Sequence, residues 1–148
     1  MAASLTLTSL YPTGQLQQIP NRIVLSWVSA SDGTVAISTD NAVDANGNAA
    51  NVHGIYGTQA TVEFVPGTGG SQPTNGYSVT LVNASGIDVL AGQGAGLSNT
   101  TATAVCPGVP LKDGTTTSTI CRMLSGAHTL NVSGAGSGKS GSLVLIVR

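Results

Sequence analysis

The chain has 148 residues, of which 7% are charged and 3% aromatic, and its formal net charge is -1. A soluble domain typically carries about 25% charged residues, so too few Glu, Lys, Arg and Gln are present to solvate the outer faces of helices. Arg22, Lys112, Arg122, Lys139 and Arg148 are scattered, which argues against a nucleic-acid partner held by phosphate neutralisation.

The length suits one domain with its own core. Twenty glycines and many Ser, Thr and Ala suit short strands joined by frequent turns. Met1 to Leu10 lacks the basic start and long apolar run of a targeting segment. No apolar run reaches the ~20 residues of a membrane-spanning helix. These features lead us to expect folding in a cytoplasm, with no membrane partner.

In chain order, Ser4 to Leu10 alternates Leu5 and Leu7 with Thr6 and Thr8 and reads as a first strand. Tyr11-Pro12-Thr13-Gly14 is a turn, and Pro20 excludes a regular ladder before residue 21. From Arg22 to Ser29, Ile23, Leu25 and Trp27 face one way and Val24, Ser26 and Val28 the other. Trp27 is the only tryptophan and Phe64 the only phenylalanine, and both are expected as core anchors. Asp32-Gly33 signals a hairpin returning through Thr34 to Ser38.

Asp40 to Asn51 is polar and turn-rich, but lacks the spacing of a calcium loop. Thr61 to Val65 is the centre of a further strand, and Gly67 to Gly76 is a Gly/Ser/Pro loop. Tyr77, Val79 and Leu81 begin a hairpin that turns at Asn83-Ala84-Ser85-Gly86 and returns through Leu90. Ala91 to Asn99 is a loop of small residues, Thr100 to Val105 a strand, and Cys106 to Gly114 a loop with turn chemistry. Thr115 to Leu124 is strand-like.

Ala127 to Arg148 contains Gly138-Lys139-Ser140, the ending of a phosphate-binding loop. The motif's first glycine falls at Ser133, and Leu143 to Val147 is strand-forming where a helix is required. A β-hairpin with a glycine-serine tip is the better reading.

The fold class expected is therefore all-β: an antiparallel β-sandwich or jelly-roll-like barrel of about nine or ten short strands. One domain spans 1–148. An N-terminal hairpin layer (about 1–66) and a C-terminal β unit (about 77–148) are joined by the Gly/Ser/Pro loop.

Chemistry is sparse. His53 and His128 stand far apart without metal-ligand spacing and read as loop or surface residues. Asp32 and Asp113 precede glycines, and Asp40, Asp44, Glu63 and Asp88 form no pair recognisable as a glycosidase dyad. No G-x-S-x-G elbow is present. The three glycosylation-like triplets at Asn83, Asn99 and Asn131 are explained by chance in so Ser/Thr-rich a chain. No enzyme, cofactor or metal is expected. Cys106 and Cys121, with fourteen residues between them, are either two small, reduced, partly buried thiols or a disulfide stabilising by about 3 kcal/mol. A cytoplasmic origin favours the thiols unless oxidation follows release.

Three stretches together resemble a family of small tailed-bacteriophage virion structural proteins. They are Arg22 to Ser29 turning through Asp32-Gly33, Pro73 to Gly92 followed by Gly94-Ala95-Gly96, and Leu130 to Leu145. The likeness covers about two thirds of the chain and rests on strand and turn patterns without catalytic residues. The Cys106/Cys121 pair and the Asp40 to Asn51 loop depart from the pattern. The resemblance implies a non-enzymatic virion component made in the host bacterial cytoplasm, above all a capsid decoration (cement) protein. Its partners would be the major capsid protein and copies of itself, as a trimer or dimer. The loops Asp40 to Asn51 and Gly92 to Asn99 and the terminal strands are the expected contact surfaces. The alternatives are a tail, collar or baseplate component, and a host-surface carbohydrate-binding adhesin, which would want an exposed Trp27.

Overall fold

A computed structural model describes residues 1–10, 21–50, 55, 57–106, 108–110, 117–121 and 123–147. The side chains of residues 9, 10, 21, 58–60, 108–110, 117–121 and 123 lie outside it. The expected turn at Tyr11 to Gly14, His53, Tyr56 and residues 111–116 fall outside the described residues.

The described chain is all-β. Its strands are β1 (Ser4–Leu10), β2 (Asn21–Val28), β3 (Val35–Ser38), β4 (Gly57–Pro66), β5 (Ser78–Asn83) and β6 (Thr103–Val105). They continue with β7 (Gly108–Pro110), β8 (Thr117–Cys121), β9 (Met123–Leu124), β10 (His128–Ser133) and β11 (Ser140–Val147). Eight of these have four residues or more. The other three are two- or three-residue pairings. Every strand pairing is antiparallel.

Two sheets form a sandwich-like fold. The larger has the order β1-β2-β11-β4-β6, with β9 also pairing β4. The smaller has the order β3-β10-β5, and β7 and β8 make a separate two-stranded ribbon.

Period-2 alternation sets the layers. Across the large sheet, Leu7, Leu25, Leu143 and Phe64 stand in one cross-strand row, and Ile23, Leu145 and Val62 in the next. The small sheet answers with Val35, Val79, Leu81, Leu130 and Val132, and all of these are buried in one cluster. Trp27 and Phe64 are each 2% exposed. The Trp27 ring lies 5.8 Å from that of Tyr77, tilted by 52°, a packing that adds about 1 kcal/mol to the area buried.

Two expected hairpins are corrected. β2 lies in the large sheet and β3 in the small one, so Asp32-Gly33 turns an arch between sheets. The Gly/Ser stretch after Ser133 likewise carries the chain from β10 in the small sheet to β11 in the large one. Alternation is the same on either route, so each strand finds whichever sheet has a complementary neighbour. β11 lies between β2 and β4, and β10 lies between β3 and β5. The 1–66 and 77–148 stretches therefore interleave in both sheets instead of forming separate layers.

The edges are short or covered. Val43 lies along β1, its N–H donating to Leu5 O (3.0 Å) and its carbonyl accepting from Leu7 N (2.9 Å). The 88–97 loop runs along β5, with Val79 N donating to Gly94 O and Leu97 N to Tyr77 O, both at 2.8 Å. A side chain at Gly94 would collide with the Val79 carbonyl, so this close approach needs glycine.

Candidate contact face

The outer face of the large sheet is made by the alternate residues of the strands that supply the core. Thr6, Ser26, Ser142 and Val65 form one cross-strand row, and Thr8, Val24, Val144 and Glu63 the next. Ser26 Oγ and Ser142 Oγ are hydrogen-bonded at 3.0 Å, so these central hydroxyls satisfy each other. Val65 is 37% exposed. The charged residues at described positions of this face are Arg22 and Glu63.

Towards the end of the sheet where β11 begins, a depression of about 290 Å³ is lined by Ser4, Thr6, Ser26, Val28, Val65 and Ser142, among others. A second, of about 380 Å³, shares Val65, Pro66 and Gly67 with it and adds Gln72, Asn99 and Thr100. Gln72 Nε2 donates to Asn99 O at 2.8 Å, fixing that wall. No charged side chain lines either depression. Hydroxyls, amides and valines give such a surface short-range hydrogen bonding and apolar contact, without a long-range field.

The glycine-rich loops beside it are internally bonded. Ser29 is fully buried. Its hydroxyl donates to Gly136 O at 2.6 Å, with Lys139 O also at 3.2 Å, and accepts from Lys139 N at 2.9 Å. Lys139 Nζ donates to Gly70 O at 2.9 Å. Gly33 has φ +82°, and a Cβ there would meet Gly136 N at 2.9 Å. The Lys139 amide is thus committed to Ser29, and a strand follows it rather than a helix. That arrangement is incompatible with a phosphate cradle.

The expected contact loop Asp40 to Asn51 is folded back on its own Asp44, and Gly92 to Asn99 is tied at its start to Asp88. Asp44 Oδ1 accepts from Asn46 N (2.8 Å) and Asn48 N (2.9 Å), and these two amides, Asn48 first, hold its carboxyl below the usual range. Asp88 accepts from the amides of Leu81, Leu90 and Gly92 at 2.9–3.2 Å. The Thr34 hydroxyl and then the Thr34 amide lower the pKa of Asp32 in the same way. These acids organise turns. No group of three or more His, Cys, Asp or Glu side chains is placed to hold a metal ion among the described residues. No helix among them is long and apolar enough to cross a membrane.

Cys106 is exposed just past the end of β6, not partly buried as expected. Cys121 stands opposite Gly108 in the β7–β8 ribbon, and its side chain lies outside the described residues. One expectation is overturned: His128 is a buried residue, 1% exposed, and not a loop or surface one. Its phase with Leu130 and Val132 was the available signal, because all three fall on the inner face of β10. Gly141 was legible in the same way, in phase with Leu143 and Leu145, whereas the role of Ser29 had no local signature. No family model, curated protein or solved structure matches the chain.

Proposed function

We propose that this chain is a non-enzymatic bacteriophage virion structural protein, and within that class a capsid decoration protein seated on the major capsid protein and on copies of itself. The observation that carries the reading is the uncharged part of the outer face of the large sheet, from Ser4 and Thr6 through Ser26 and Ser142 to Val65, with Arg22 and Glu63 in rows beyond it. Covering an ion in an interface leaves a costly group unless it is paired. Small hydroxyls and valines leave water without that penalty. The bonded loops around Ser29 and Lys139 support the same reading, since little freedom remains to be lost when a lattice covers them.

The covered edges of β1 and β5 favour contact through faces and loop ends over strand addition at those edges. The saccharide-binding alternative loses its main anchor, because Trp27 is buried.

Cryo-electron microscopy of the particle that carries the protein tests the proposal. Hundreds of copies over the shell, with Val65 and Ser142 against the major capsid protein, are the expected result. A dozen or fewer copies at a vertex or along the tail would sink the decoration reading in favour of a collar, tail or baseplate role.

A further inference from the structure

His128 opens β10 at a junction of four pieces of the chain. Its Nδ1 lies 2.9 Å from Gly126 O. A carbonyl only accepts, so Nδ1 carries the proton and Nε2 of the neutral ring is an acceptor. Nε2 is buried and has no hydrogen-bond partner among the described residues. The same Gly126 carbonyl accepts from Ile55 N at 2.8 Å, and His128 N donates to Thr39 Oγ1 at 3.1 Å. Thr39 and Ile55 are themselves buried. The imidazole thereby holds the Gly126 carbonyl that also anchors Ile55, while the His128 backbone amide ties the Thr39–Asn41 turn to the start of β10.

The surroundings offer little to balance a positive ring. β3 and β5, which flank β10, carry no titratable side chain. Asp40 is exposed on the Thr39–Asn41 turn, and Asp88 lies beyond β5, where its carboxylate accepts from the Leu81, Leu90 and Gly92 amides. His53 and Tyr56, either side of Ile55, lie outside the described residues.

We propose that His128 is an acid-sensitive latch: a proton added at Nε2 finds no acceptor among the described residues, and the imidazolium leaves the interior, releasing the Gly126 corner and Ile55 while both sheets stay paired. Burial lowers the pKa of His128, and the Gly126 hydrogen bond offsets part of that shift. In the open state the ring titrates near the ordinary value of about 6.5. Above that pH both states are neutral, and opening does not depend on pH. Below it the open state binds a proton that the closed state refuses. The opening equilibrium then rises about tenfold per pH unit until the closed-state pKa is reached.

NMR-detected hydrogen exchange between pH 7.5 and 5, corrected for intrinsic chemistry, reads this directly. The Ile55 and His128 amides should open about tenfold more readily per pH unit below about 6.5, while Leu25 and Leu143 keep their protection. His128→Gln should flatten the dependence, and His53→Gln should leave it intact. Should His128→Gln fail to fold, titration of the His128 ring in the unmodified protein decides. A ring titrating at or above the ordinary value overturns the latch. So does pH-independent exchange at Ile55, or Leu143 opening in step with it.

Discussion

At the scale of single residues, the positions that matter most are small ones. Gly141 lies in register with Trp27, and a Cβ at residue 141 would approach Trp27 Cζ2 to 2.6 Å and Val65 O to 2.9 Å. The indole therefore occupies the space a side chain would need, with backbone on the other side. Gly141→Ala should lower stability by about 1–3 kcal/mol through overpacking, read from urea unfolding followed by Trp27 fluorescence. Ser29 is the polar counterpart. Removing its hydroxyl leaves Lys139 N without that acceptor and Gly136 O without its 2.6 Å donor. Ser29→Ala should cost about 1–3 kcal/mol, the penalty for groups left unsatisfied inside a protein. Faster exchange at the Lys139 amide would identify that bond as the one lost.

At the scale of elements, the edge of β1 is closed by Val43. A proline at position 43 has no N–H for Leu5 O, while the rest of the 40–50 loop keeps its Asp44-centred bonds. Val43→Pro should uncover a strand edge and produce concentration-dependent association by light scattering, at concentrations where the unmodified protein stays dispersed. The strands themselves were legible: alternation placed Leu5 and Leu7, Ile23 to Trp27, and Tyr77 to Leu81 on inner faces, and the structure buries every one of them on that phase. The partners were not legible. Asp32-Gly33 has turn chemistry, and Gly33 adopts the positive φ expected of it, but turn chemistry does not say which sheet receives the next strand. β3 pairs with β10, about ninety residues later, through the Val35–Val132 and Ile37–Leu130 rows. Pairing of that kind is decided by the assembled core. The outer face was half legible, since Ser26 and Val28 were placed opposite Trp27, while its continuity across Ser142 and Val65 depends on the order of strands.

At the scale of the whole molecule, five basic and six acidic side chains, with a sequence pI near 6.0, leave little repulsion between copies. Solubility should pass through a minimum near pH 6 and recover on either side, measured as the saturating concentration in buffers of equal ionic strength. The interleaved topology carries a separate consequence for how the protein is made. Residues 128–147 supply the middle strand of the small sheet and a central strand of the large one. Until a ribosome has released them, β2 and β4 lack the strand that joins them, and so do β3 and β5. The nascent polypeptide therefore cannot close its sandwich progressively from the N-terminus, and folding must wait for late, long-range pairing, which is intrinsically slow. During that interval two open slots, each the width of one strand, are exposed. A neighbouring nascent chain's 128–147 segment fits both, which makes crowding on a polysome the stage at which this protein is most exposed to strand exchange between copies.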